Sequence, residues 1–184
     1  MLKKIFIILA IIAGLVIIYN IYLLATTKSH SPAEVVEYTN ESLSIAITYS
    51  RPYKKGRLIF GEGEKALVPF GEKWRTGANE ATQISFNQNI YLEDSLLKKG
   101  IYSLYTIPGK TEWVLAINSK TNYWGRTLVG NPFEEELDVV RVKGRVSETD
   151  TEIEQFTINF TESDSLLQLN MLWDRSKVTF NIKN

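Results

Sequence analysis

The chain has 184 residues, which is room for one domain of common size. It contains no cysteine, so disulfides, thiolate metal sites and a cysteine nucleophile are excluded. Three of its 21 basic residues and none of its 21 acidic residues lie in the first 30 positions, which leaves the remainder with a formal charge of about −3. This balance argues against a nucleic-acid-binding protein, because such proteins usually carry a clustered basic excess.

The first element is an apolar run of 21 residues from Ile5 to Ala25, interrupted only by Asn20. At about 1.5 Å per residue, this run spans a hydrocarbon core of roughly 30 Å. It is longer than the apolar region of a secretory signal and lacks a good cleavage site, so we predict an uncleaved transmembrane anchor at 5–25, with a removed signal peptide as the alternative. Lys3 and Lys4 favour a cytoplasmic tip at 1–4 and an extracytoplasmic domain, periplasmic or extracellular.

A polar tether is predicted at 26–32, and it contains the only histidine, His30. A domain whose sole histidine lies in its tether lacks Ser–His chemistry of the usual kind and cannot form a three-histidine zinc site. We therefore predict no metal and no cofactor, and the sequence reveals no catalytic residues.

From residue 33 to the C-terminus the dominant signal is an alternation of apolar and polar residues with period two. No apolar stripe with helical spacing is sustained over three turns, so helix should be scarce. Turns are expected at 148–150, 161–164 and 174–176, and a hairpin is expected around Pro108 and Gly109. The fold class predicted is all-β, an antiparallel β-sandwich spanning 33–184, with a barrel as the alternative and with jelly-roll and immunoglobulin-like topologies not distinguished.

The segment from Leu67 to Thr82 has the highest density of special residue types in the chain. We expect Trp74 and Phe70 in the core and Gly77 at positive φ, because a long irregular connection must satisfy its own buried polar groups. Asn79 or Glu80 should then bond to backbone N–H groups or to Arg75.

Three arginines flank this glycine-rich connection, Arg51, Arg57 and Arg75. Their forked guanidinium donors suit a carboxylate, sulfate or phosphate ligand. The alternative is that each arginine pairs with one of the neighbouring acids, which are Glu62, Glu64, Glu72 and Glu80.

Asn79, Glu80 and Trp124 complete the set of candidate ligand-binding residues. Asn79 and Glu80 could supply oxygen ligands to calcium, or Glu80 could serve as one carboxylate of a glycosidase pair, although nothing in the spacing selects a second acid. The alternative is a turn role for Asn79 with Glu80 in an ion pair. Trp124 lies next to Tyr123, and alternation cannot bury both rings, so one of them should face a cleft or solvent. Stacking of a sugar or apolar ligand on Trp124 and a structural role as the lid of a sandwich end are equal alternatives.

Several segments together resemble the bacterial domain-of-unknown-function family 2911, over residues from about 31 to the C-terminus. The block Trp74-Arg-Thr-Gly-Ala-Asn-Glu-Ala-Thr82 is the most specific of them. The other matching segments are Tyr49-Ser-Arg-Pro52, Gly56-Arg-x-Ile-Phe-Gly61, Leu67-Val-Pro-Phe-Gly71, Gly100-x-Tyr102, Thr106-Ile-Pro108, Trp113, Trp124-Gly125 and Asp138-Val-Val-Arg141. The resemblance implies a secreted or envelope protein and no established activity. This chain departs from the family in one respect, because it is expected to keep a membrane anchor where a cleavable signal would also serve.

The leading functional expectation is a membrane-anchored envelope protein whose domain binds an anionic or carbohydrate-like ligand without catalysis. The alternative is a carboxylate-dependent hydrolase acting on envelope glycans, because a carboxylate pair needs no histidine. The membrane is the expected partner through the N-terminal helix, and nucleic acid is not.

Overall fold

The computed structural model describes residues 2–121, 123, 133–163 and 166–183. Helix α1, Leu2–His30, is long and apolar enough to cross a membrane. Its described apolar side chains are exposed, so it is not a core helix of the domain. Hydroxyl groups of Thr26 and Thr27 donate to the carbonyls of Tyr22 and Leu23 and continue the helix beyond the apolar run. The segment expected as a tether is therefore helical as far as His30.

After the helix the described chain consists of strands and irregular connections, with one 3-10 turn at Glu135–Leu137. The strands are β1 Ala33–Thr39, β2 Ser44–Ser50, β3 Phe60–Gly61, β4 Val68–Pro69, β5 Thr82–Phe86, β6 Ile90–Leu92, β7 Ser95–Leu97, β8 Gly100–Ile107, β9 Glu112–Asn118, β10 Asp138–Ser163 and β11 Leu166–Lys183. Nine of them form one continuous antiparallel sheet in the order β1-β2-β5-β8-β9-β10-β11-β6-β7, while β3 and β4 form a short parallel pair. The antiparallel all-β prediction is confirmed; the division into the two sheets of a sandwich stays a prediction.

Two of the expected turns are wrong, because β10 and β11 run through them. β10 pairs with β9 near its start and with β11 along the rest, and its register with β11 shifts between Glu148 and Ile153 and again before Thr157. Opposite these shifts lies Asp174, which has a φ of 56°. The polar residues at 148–150 and 174–176 therefore belong to bulges, which bend a strand without ending it.

The bend in β10 brings its second half against the segment that follows β2. The backbone N–H of Phe156 donates to the carbonyl of Pro52 at 3.0 Å, and that of Lys54 donates to the carbonyl of Glu154 at 2.6 Å. Between these parts of the sheet lies an aromatic cluster of Phe60, Trp74, Trp113, Phe156 and Trp173. Aromatic rings bury large apolar areas, so this cluster contributes much of the driving force for folding.

Candidate functional site

Trp74 fixes the centre of the irregular connection between β2 and β5. Its backbone N–H donates to the carbonyl of Thr106 at 2.8 Å and its carbonyl accepts from the Thr106 N–H at 2.9 Å, so it is tied to β8. Its ring stacks on Trp173 with centroids 5.6 Å apart, and the indole N–H donates to the carbonyl of Gly77 at 3.1 Å. The prediction of Trp74 in the core is confirmed, since only 9% of the residue is exposed.

Gly77 is at positive φ, 143°, as predicted. A Cβ atom there would lie 2.8 Å from the carbonyl oxygen of Ser50, so the site excludes any side chain. The prediction for Phe70 is wrong: it is half-buried and lies outside the core cluster. It directly follows the two-residue strand β4, and its backbone N–H donates to the carbonyl of Gly61 at 2.8 Å.

Asn79 and Glu80 connect this loop to the end of helix α1. Asn79, at a φ of 57°, is buried, and its side-chain amide donates to the carbonyl of Ser31 at 3.2 Å. Glu80 forms an ion pair with Lys28 at 3.0 Å, with both side chains largely in solvent. Partial burial opposes ionisation of Glu80, but hydrogen bonding at its own backbone and to Lys28 outweighs burial and lowers its pKa. The turn and ion-pair alternative therefore describes these two residues.

A cavity of about 540 Å³ lies beside this connection, and we call it the basic cavity. Its lining contains an apolar group, which includes Leu67, Val68, Trp74 and Trp173. It also contains a basic group of Lys55, Arg57 and Arg75, together with His30 at the end of the helix. Among the described residues no aspartate or glutamate lines it.

The three candidate arginines do not come together. Arg57 and Arg75 line the basic cavity, whereas Arg51 does not. Arg51 donates from Nε to the carbonyl of Phe156 at 3.0 Å and from Nη2 to the hydroxyl of Thr157 at 2.8 Å, and it forms an ion pair with Glu34. These bonds fasten β10 to the strands β1 and β2, which is a structural role.

Arg57 is exposed at the mouth of the basic cavity and is held by the backbone alone. Its Nε donates to the carbonyl of Lys54 at 2.9 Å, and its Nη2 donates to the carbonyl of Tyr53. Within the part of the chain that the structure describes, Arg57 makes no ion pair, so pairing with the neighbouring glutamates is not its role. Arg75 donates from Nη1 to the carbonyl of Asn79 at 3.4 Å.

Glu80 lines a different, smaller cavity of about 270 Å³, with Tyr49, Ser50 and Gln83. No second carboxylate lines it among the residues described. Across the same residues, no group of three or more His, Asp or Glu side chains is placed to hold a metal ion. Trp124 lies outside the described residues.

The sequence did not predict a polar network that surrounds Tyr105. The Tyr105 hydroxyl donates to Oδ2 of Asp138 at 2.7 Å and accepts from Arg141 at 2.9 Å, while Asn118 donates to Oδ1 of Asp138 at 2.7 Å. Burial and the Asp138 carboxylate raise the pKa of Tyr105. Residues three apart on a regular strand point to opposite faces, so only the register shift after Asp138 allows it to meet Arg141.

Comparison with protein families identifies the domain. A family model described as "Protein of unknown function (DUF2911)" matches residues 31–182. The chain belongs to this family. The resemblance carried by the Trp74–Thr82 block is thereby confirmed, and the DUF2911 match begins directly after helix α1. No curated protein and no protein of solved structure matches the chain significantly.

Proposed function

We propose that this protein is a membrane-anchored envelope protein whose DUF2911 domain binds an anionic or carbohydrate-like ligand and performs no catalysis. The observation that carries the proposal is the basic cavity, whose lining combines apolar side chains with Lys55, Arg57 and Arg75. A mostly apolar cavity with a few convergent polar groups is the usual form of a small-ligand site. Helix α1 is the anchor, with its N-terminus cytoplasmic and the domain outside the cytoplasm.

The charge of the cavity favours an anion. Three basic residues belong to its lining, and none of the lining residues among those described is an aspartate or glutamate. Guanidinium groups bind carboxylate and phosphate with two parallel hydrogen bonds, and such charge-assisted bonds are stronger than neutral ones. Leu67 and the small exposed part of Trp74 supply an apolar surface for the uncharged part of the same ligand.

The hydrolase alternative has less support. A glycosidase needs two carboxyl groups about 5–9.5 Å apart across an open cleft. Glu80 is held by Lys28, and the described lining of its cavity includes no other acid. Binding without catalysis therefore agrees better with the arrangement of charges.

Thermal unfolding of the full chain in detergent tests the ligand class. Inorganic phosphate, glycerol phosphate and a neutral disaccharide are compared, and a ligand at 100 times its dissociation constant should add about 2.7 kcal/mol to the free energy of unfolding. We expect a shift with the phosphates that is lost in Arg57→Gln and Lys55→Gln. Arg145→Gln removes the same charge from an exposed position outside the cavity and serves as control. Equal shifts in all variants would place the ligand elsewhere.

Membrane orientation has its own test, because the chain lacks cysteine and a single introduced thiol can be labelled uniquely. Lys4→Cys and Glu62→Cys lie at exposed positions on either side of the apolar run. A membrane-impermeant maleimide added to cells made permeable only in any outer membrane should label Glu62→Cys alone. Labelling of Lys4→Cys alone would reverse the orientation.

A further inference from the structure

The basic cavity adjoins the point where helix α1 ends. His30 and Ser31 are part of its lining. The domain is held there by the Lys28–Glu80 ion pair at 3.0 Å and by the Asn79 amide, which donates to the carbonyl of Ser31 at 3.2 Å. The position of the helix in a membrane therefore determines the height of the cavity above it.

The length of the helix places this cavity at the headgroup layer. With the apolar run 5–25 in the hydrocarbon core, His30 lies five residues further along the helix, which is about 7.5 Å. The polar layer on each side of a bilayer is roughly 5–7 Å thick. His30, and the cavity that it lines, thus lie at the outer margin of the lipid headgroups.

The rim of the cavity has the side-chain types of a membrane-surface site. Leu67 lines the cavity with 44% of its surface exposed, and its N–H donates to the carbonyl of Leu58, which is 52% exposed. Lys55 and Arg57 are exposed beside them. Exposed leucines together with lysine and arginine are typical of segments that rest on anionic lipid.

We propose that the ligand of the basic cavity is the phosphate headgroup of an anionic phospholipid in the leaflet where helix α1 ends, which rests on the anionic-ligand function proposed above. Lys55 and Arg57 receive the phosphate at the mouth, while Leu58 and Leu67 rest among the lipids. The glycerol and the start of the acyl chains lie against Leu67 and the small exposed part of Trp74. The domain then binds lipid from the membrane that surrounds its own anchor helix.

The first experiment measures lipid retention. The full chain is placed in nanodiscs of phosphatidylcholine mixed equally with phosphatidylglycerol, then released gently into a mass spectrometer that counts bound lipids. We expect retention of phosphatidylglycerol over phosphatidylcholine, and a loss of about tenfold or more in Arg57→Gln and Lys55→Gln, as expected for removal of a charge-assisted hydrogen bond. Arg57→Lys, which keeps the charge, should restore part of the preference, and Arg145→Gln should not change it.

Free anions separate the two possible sources of phosphate. Retention of phosphatidylglycerol that depends on Arg57 and that millimolar glycerol phosphate does not displace supports the lipid proposal. Binding of free phosphate that depends on Arg57, with no preference among lipids, overturns the lipid proposal and leaves the anionic-ligand function standing. Binding of neither overturns both. The thermal midpoint of each variant, measured beside the parent, shows that a loss of binding is not a loss of folding.

The second experiment measures the depth of the rim. A nitroxide label on Leu58→Cys in the same nanodiscs should be shielded from a water-soluble relaxation agent and accessible to oxygen dissolved in lipid. Leu96→Cys is a matched control, because Leu96 is 51% exposed, on β7, and does not line the cavity. Equal accessibility of the two labels to the water-soluble agent would overturn the proposal, since the rim would then lie in water.

Discussion

Two groups of residues in the lining of the basic cavity have different relations to the fold. In the apolar group, Trp74 packs against Trp113, Phe156 and Trp173, and its backbone is bonded to β8. In the basic group, Lys55 and Arg57 are exposed, and the bonds of the Arg57 side chain within the described structure go to backbone carbonyls of its own turn. The apolar group therefore stabilises the domain, whereas Lys55 and Arg57 contribute little to its packing.

Neighbouring residues in the sequence belong to different groups of the cavity lining. Trp74 is buried in the core cluster, while the next residue, Arg75, is half-buried and lines the cavity. The same contrast separates Arg51, which joins β10 to β1, from Arg57. Residue type alone does not predict this difference, because Arg51 is bonded to distant strands and Arg57 to its own turn.

The largest effect expected is that of Trp74→Ala. Loss of a core tryptophan typically costs about 3–5 kcal/mol, a large part of a typical domain stability of roughly 5–15 kcal/mol. We expect a corresponding fall in the thermal midpoint of the full chain in detergent. Leu58→Ala, at the exposed rim, should change the free energy of unfolding by no more than about 0.5 kcal/mol. Similar losses of stability in the two variants would show that the packed tryptophan and the exposed rim contribute equally to folding.

Gly77→Ala should come next. The new methyl group would force a residue with a side chain into a φ of 143° and place its Cβ 2.8 Å from the Ser50 carbonyl oxygen. Strained backbone of this kind costs about 1–3 kcal/mol. Gly71→Ala provides the comparison, because its φ is 82° but nothing lies within 4 Å of the new Cβ. Its midpoint should fall less than that of Gly77→Ala; the reverse order would show that the close approach to Ser50 is unimportant.

Arg51→Gln should destabilise the domain more than Arg57→Gln. Removal of the Arg51 guanidinium leaves the carbonyl of Phe156 without this donor and breaks the ion pair to Glu34, for a loss of about 1.5 kcal/mol. Arg57→Gln should cost less, because its bonds are at the surface. Urea midpoints of the two variants measure the difference. An equal or larger loss in Arg57→Gln would assign it a structural role like that of Arg51.

The sequence was sufficient where the signal is local. An apolar run of 21 residues defines the helix, and period-two alternation defines the antiparallel strands. Gly77 and Trp74 were also predictable, because few other residues satisfy a loop that needs positive φ and a large apolar anchor.

The sequence did not predict contacts between distant residues or the irregular parts of strands. Arg51 meets Phe156 across 105 positions, and Tyr105 meets Asp138 across 33, and no local pattern encodes either contact. Polar residues at 148–150 have the composition of a turn but form a bulge, because the pairing of β10 with β11 on both sides keeps the strand going.

Glu80→Gln should have the smallest effect, and its dependence on pH identifies the cause. The folded pKa of Glu80 lies below its ordinary value of 4.5, so its carboxylate contributes stability above that pH and loses it as the pH falls through the folded pKa. The Lys28 and Glu80 side chains are 67% and 46% exposed. Their ion pair therefore contributes about 0–1 kcal/mol to the free energy of unfolding, and this contribution falls with added salt. The midpoint of Glu80→Gln should therefore lie slightly below that of the parent at neutral pH and coincide with it in acid, since glutamine resembles the protonated acid.

Glu64→Gln, at an exposed position without an ion pair in the described structure, should match the parent throughout. A raised midpoint at neutral pH would instead assign Glu80 to a binding site, because functional sites often hold charged groups at a cost to stability.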